Sequence, residues 1–121
     1  MLTDSRKAAA IAVAALDDKL ASDIRIIRID EVSTIADYFV IASGTNQNQV
    51  EALIESVEEK LAKAGYPIGH IEGIKGTGWT LMDYKDVVIH IFDQESRGFY
   101  DLERIWKDGE EIAKEDLLKE L

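Results

Sequence analysis

Gly78-Trp-Thr-Leu-Met-Asp-Tyr-Lys-Asp-Val-Val-Ile-His-Ile-Phe92 runs on through Asp93-Gln-Glu-Ser-Arg-Gly-Phe-Tyr-Asp-Leu-Glu-Arg-Ile-Trp106, and the pattern of its side chains organises the rest of the chain. Two β-branched and aromatic runs, Trp79 to Asp83 and Val87 to Phe92, are separated only by Tyr84-Lys85-Asp86, so they are expected to pair as an antiparallel hairpin. With Lys85 and Asp86 as turn residues, Tyr84 falls opposite Val87, Met82 opposite Ile89 and Thr80 opposite Ile91. Asp83/Val88, Leu81/His90 and Trp79/Phe92 are then the alternate pairs. One face of the hairpin (Thr80, Met82, Tyr84, Val87, Ile89, Ile91) is an ordinary core face. The other carries Trp79, Leu81, Asp83, Val88, His90 and Phe92, large apolar groups mixed with an acid and an imidazole. Two readings fit that second face: a sheet covered on both sides with His90 and Asp83 at its wet edge, or a partly exposed apolar surface for a partner.

The chain of 121 residues is long enough for one domain with its own core. It has no cysteine and only two histidines, His70 and His90, which excludes thiolate chemistry and a cysteine zinc site and disfavours a histidine metal cluster. The apolar run Ala8 to Leu16 is preceded by Asp4 and ended by Asp17 and Asp18. It is too short for a membrane span, and an amphipathic helix explains it better than a signal peptide, so the protein reads as cytoplasmic. With 14 basic against 24 acidic residues the net charge is −10. Few cations are free to replace counterions on a phosphate backbone, so direct groove binding to nucleic acid is disfavoured. The acidic surface suits a basic protein partner and also serves plain solubility.

In chain order, Ala8, Ile11, Ala12, Ala15, Leu16 and Leu20 carry helical spacing from Asp4 or Ser5 to about Leu20, with Thr3, Asp4 and Ser5 as capping candidates. Asp23 to Ile29 alternates as a strand. Asp37 to Ser43 is apolar without interruption, the pattern of a central strand covered on both faces. Gln47 to Ala64 forms a helix with its stripe at Val50, Leu53, Ile54, Val57 and Leu61, stopped by Gly65. Ile68 to Ile71 is a short strand near an edge, and a helix from about Gln94 to Trp106 follows the hairpin. Residues 1–106 form the domain. Residues 107–121 are an acidic tail that reads as a helix with a mobile end. The order α-β-β-α-β-β-β-α plus tail gives an α/β (α+β) fold, a five-stranded mixed sheet flanked by helices.

The turn Ser43-Gly44-Thr45-Asn46 joins a buried strand to a helix N-terminus, where free N–H groups could hold a phosphate, so a nucleotide-binding or nucleotidyltransferase-type enzyme is the rival reading. It lacks the lysine of a P-loop and the spaced glycines of a dinucleotide fingerprint, and Thr45 or Asn46 serves fully as an N-cap. The glycines between Gly73 and Gly78 lead into a strand rather than a helix. Asp83 and Asp93 fall roughly 20 Å apart at strand rise, too far with Asp86 to share one cation. His90 beside Asp83 has no nucleophile placed to complete a catalytic set.

Ala36 to Thr45, the pair Glu72-Gly73 and above all Gly78 to Phe92, with Glu95-Ser-Arg97 and Phe99 to Trp106, closely resemble the ribosomal silencing factor family, also called the Iojap family. The match runs from about Ser5 to Trp106. That resemblance implies a nucleotidyltransferase-like α/β fold without enzymatic activity and without cofactor or metal. It also implies a cytoplasmic factor, homodimeric when free, that docks on the large ribosomal subunit through its fourteenth protein and blocks joining of the small subunit. Carried over by position, the family's docking surface falls on Trp79, Leu81, Asp83, Tyr84, His90 and Tyr100. The sequence departs from the family with Lys85 where Gly is common in the turn, and with Ile105 where Leu usually precedes the last Trp.

Overall fold

A computed structural model describes residues 4–31, 34–74, 78–94 and 109–121. Past Gln94 itself, the helix expected over Gln94 to Trp106, which includes Tyr100, lies outside them. The described elements are α1 (Asp4–Asp18), β1 (Ser22–Arg28), β2 (Tyr38–Gly44), α2 (Gln47–Lys63), β3 (His70–Ile74), β4 (Trp79–Asp83), β5 (Val87–Asp93), β6 (Glu110–Ile112) and α3 (Lys114–Leu118). They form one mixed sheet in the order β3-β4-β5-β2-β1-β6.

β2 is buried along its whole length and sits inside the sheet, as its unbroken apolar run requires. It pairs in parallel with β5, from Tyr38 opposite Val87 to Gly44 opposite Asp93, and antiparallel with β1. The hairpin β4–β5 takes the expected register, with Met82 opposite Ile89, Leu81 opposite His90 and Trp79 opposite Phe92. Its turn is tight. The Asp86 N–H donates to the Tyr84 carbonyl at 3.0 Å around Lys85, whose φ is +76°, and the Lys85 N–H donates to Asp83 Oδ1 at 2.7 Å. A lysine thus occupies the positive-φ region that ordinarily favours glycine, held by the bonds on either side of it.

Helices α1 and α2 cover one face of the sheet. Their inner residues, among them Val13, Leu16, Leu53, Val57 and Leu61, pack with Val40, Met82, Ile89 and Ile91 into the larger core cluster. The opposite face holds a smaller cluster of Ile27, Ile29, Ala36, Phe39, Ile41, Val88 and Phe92, with Trp79 and Leu81 partly buried against it. Both helices end in the same way. Tyr66 N–H donates to Leu61 O across Gly65 at φ +90°, and Ala21 N–H donates to Leu16 O across Leu20 at φ +62°. Leu20 was expected on the buried stripe of α1. It is instead the left-handed terminating residue and 79% exposed, because the helix stops two residues earlier, at Asp18.

The sheet has six strands rather than the expected five. The sixth, β6, lies in the acidic tail and pairs antiparallel with the outer edge of β1. Two ion pairs match its charges to that edge: Arg25 to Glu111 at 2.8 Å and Arg28 to Glu110 at 3.9 Å. Gly109 permits the approach, since a Cβ there would come within 2.6 Å of Ile27 Cγ2. Beyond β6, α3 buries Leu117, while Lys114–Asp17 (2.9 Å) and Arg6–Glu120 (2.6 Å) tie the end of the chain to α1.

Ile89 is fully buried between the sheet and the helices. Ile89→Ala is expected to lower stability by about 2 to 5 kcal/mol through the cavity it leaves. Denaturant titration checks this, and a cost below about 1 kcal/mol contradicts the placement of the main core on this face.

Candidate functional site

Strand alternation puts Trp79, Leu81 and Asp83 of β4 on the face away from α1 and α2, each half-buried. The neighbouring strand β5 brings Val88, His90 and Phe92 to the same face, all buried, with His90 only 4% exposed. The face is therefore buried along β5, where His90 lies in the interior rather than at a wet edge, and half-exposed along β4.

The open half is built on stacked rings. Trp79 lies over Phe92, centroids 5.4 Å apart and planes at 22°. Its Nε1–H donates to His90 Nδ1 at 3.1 Å, and Phe39 from β2 backs the imidazole at 4.9 Å and 60°. Burial pushes His90 down to about 4, so the ring is neutral near pH 7. With Nδ1 accepting, the proton resides on Nε2, which is buried and has no hydrogen-bond partner. His90 therefore serves Trp79 rather than forming an acid/base pair with Asp83, whose Oδ1 accepts from the turn at Lys85.

Tyr84 is not part of this group. It packs against the helix-side cluster, and burial, with a smaller contribution from Glu58, pushes its phenol up to about 12. Of the six expected docking residues, the structure brings together Trp79, Leu81, Asp83 and His90, sets Tyr84 on the opposite face, and leaves Tyr100 outside the described residues. Phe39 and Phe92 support the site and were not singled out as site residues. An unbroken apolar strand such as β2 hides which of its residues share a face. Only its parallel register with β5 reveals that Phe39 belongs beside His90.

The rival site is occupied by its own side chains. Asn46 caps α2 by accepting the Gln49 N–H at 2.9 Å, while the Thr45 N–H and hydroxyl donate to Gln49 Oε1 at 2.6 and 2.8 Å. Gln49 Nε2 in turn donates to the carbonyls of Lys19 and Leu20, locking this turn to the end of α1. In the register Asp83 lies opposite Val88, and Asp93 is at the far end of β5. Among the described residues no three His, Asp or Glu side chains group in a way that could hold a metal ion. None of the described helices is long and apolar enough to cross a membrane.

The family described as "Ribosomal silencing factor during starvation" matches residues 2–121. The chain belongs to the ribosomal silencing factor family. A ribosomal silencing factor from Bacillus subtilis is 38% identical over 99 residues, 82% of this chain and 84% of that protein. "Mitochondrial assembly of ribosomal large subunit protein 1" from Mus musculus is 32% identical over 97 residues, 78% of this chain and 42% of the mouse protein. A crystal structure from Chromobacterium violaceum superposes with a TM-score of 0.81 at 31% identity, covering 92% of each chain. The silencing-factor match reaches residue 121, so it takes in the C-terminal strand and helix as well as the Trp-to-Trp block.

The burial of His90 has a pH signature. Its folded-state pKa of about 4 lies below the unfolded value of 6.5. The unfolded chain therefore binds the proton more readily, and the stability this group contributes is fully present above pH 6.5 and lost as pH falls toward 4. Between pH 7 and pH 5 the expected loss from this residue is about 2 kcal/mol. Denaturant titrations at both pH values, on wild type and His90→Phe, isolate it: the wild type should lose more by roughly that amount, and parallel losses contradict a buried neutral imidazole.

Proposed function

We propose that this chain is a non-enzymatic translational repressor that docks on the large ribosomal subunit, through its fourteenth ribosomal protein, and sterically blocks joining of the small subunit. The observation that carries the reading is the half-exposed Trp79–Leu81 surface, bordered by Asp83 and held on a two-stranded frame at the open side of the sheet. A large aromatic on a rigid strand is the usual anchor of a protein interface. The net charge of −10 favours a basic protein over bare RNA as the first point of contact. The family's name and the large-subunit name of the mouse relative support the choice of particle. On this reading the fold is a nucleotidyltransferase-like frame used as a docking platform in the cytoplasm, with no cofactor. Trp79, Leu81 and Asp83 make contact and His90 acts beneath them, with Tyr100, which lies outside the described residues, as a further contact of the proposal.

The same apolar surface calls for cover when the factor is free, so we take the unbound state to be a homodimer. Light scattering at micromolar concentration should give twice the mass of one chain, and a monomer throughout contradicts this part.

Trp79→Ala should weaken binding to isolated large subunits by roughly 30-fold to 1000-fold, on the order of 2 to 4 kcal/mol for a central aromatic anchor. Co-sedimentation of wild type and variant with large and with small subunits reads this directly. The wild type should pellet with large subunits alone. A folded Trp79→Ala protein that binds as the wild type does would remove this surface from the interface.

A further inference from the structure

We infer that His90 is the positioning residue of the docking surface: its Nδ1 accepts the Trp79 indole N–H and so fixes the angle at which the half-exposed ring is offered to a partner. This rests on the docking reading above and adds the device that shapes it.

A half-exposed tryptophan is free to sample several rotamers unless something holds it, and each rotamer presents a different outline. Among the described residues, the ring meets restraints of two different kinds. Stacking on Phe92 fixes its plane but lets it slide and turn within that plane. The 3.1 Å bond to His90 is directional and selects one orientation. Register makes the bond possible, because Trp79 pairs with Phe92 and Leu81 pairs with His90, which sets the imidazole diagonally behind the indole.

The chemistry of His90 argues against a role in stability alone. Its second nitrogen, Nε2, is buried with no partner, a polar group that a leucine or phenylalanine at the same position would not leave stranded. Among the described residues, the one side-chain hydrogen bond of His90 goes to the half-exposed Trp79. A second consequence follows for the partner. Since the indole N–H is taken internally, the exposed part of Trp79 offers no hydrogen-bond donor, which suits an aliphatic or cationic side chain better than a hydrogen-bond acceptor.

The test compares two substitutions of nearly equal shape in the full chain. In His90→Asn the side-chain oxygen falls close to the place of Nδ1 and can still accept the indole N–H, whereas His90→Leu has no acceptor. The Trp79 indole proton signal, identified by its loss in Trp79→Phe, is followed by NMR in the free protein for its shift and its rate of exchange with solvent. Ring-nitrogen shifts of His90 locate its proton. Affinity for isolated large subunits is measured at a temperature where every variant is folded. The expected result is a proton on Nε2 and a bonded, slowly exchanging indole in wild type and His90→Asn. In His90→Leu the indole should be released, with affinity about fivefold to tenfold weaker. An indole signal unchanged in His90→Leu overturns the proposal. So does a His90→Leu protein with a released indole that binds as tightly as wild type while Trp79→Ala does not. Failure of Trp79→Ala to weaken binding counts against the docking reading alone, because the indole readout belongs to the free protein.

Discussion

The parallel pairing of β2 with β5 sets both the core and the aromatic face of the sheet. Seven residue pairs, from Tyr38–Val87 to Gly44–Asp93, join the N-terminal half of the chain to the hairpin in the middle of the sheet. A one-residue slip in that register would turn the side chains of the slipped strand, Val40 or Ile89 among them, away from the helices and would separate Phe39 from His90. The same pairing that closes the main core therefore also assembles the aromatic group on the other face. Core and surface are set by one alignment, so the surface inherits the rigidity of the core.

That rigidity gives the open side its character. Trp79, Leu81 and Asp83 stand on β4, one strand in from the edge, with β3 on one flank and β5 on the other. Each is attached to backbone that is hydrogen-bonded on both sides, so docking requires little ordering of the main chain. At the far edge of the sheet, β6 pairs with Ile26–Arg28 of β1, and its short, charged strand disfavours the addition of a foreign strand there. The molecule thus closes one side with charge and leaves an aromatic on the other.

Much of this was legible in the sequence because the relevant patterns are local. The hairpin, its register and the two differing faces follow from Trp79 to Phe92 alone, and α2 follows from its stripe and from Gly65. β6 was not legible: Glu110-Glu-Ile112 has a single apolar residue, and its strand character comes from Arg25 and Arg28 on β1, about 85 residues distant in sequence. Leu20 misled for a related reason, since it has the spacing of a buried stripe while the helix had already ended. In the candidate site, the shared face of Trp79, Leu81, Asp83 and His90 was a matter of counting residues. That His90 is buried beneath Trp79 and backed by Phe39 was not, because it depends on a partner strand half the chain away. The placement of Tyr84 on the helix face agrees with strand alternation, which had put it with Met82 and Ile89. The family resemblance overrode that alternation in naming it a docking residue.

The central claim is that the open half of the hairpin face, rather than the helical face, meets the ribosome. Hydroxyl-radical footprinting of the chain, free and bound to isolated large subunits, tests it most directly because it reads side-chain exposure residue by residue. Protection on binding should concentrate on Trp79 and Leu81, with α1 and the outer surface of α2 as reactive as in the free protein. Protection spread over the helices, with Trp79 and Leu81 equally reactive in both states, would contradict it.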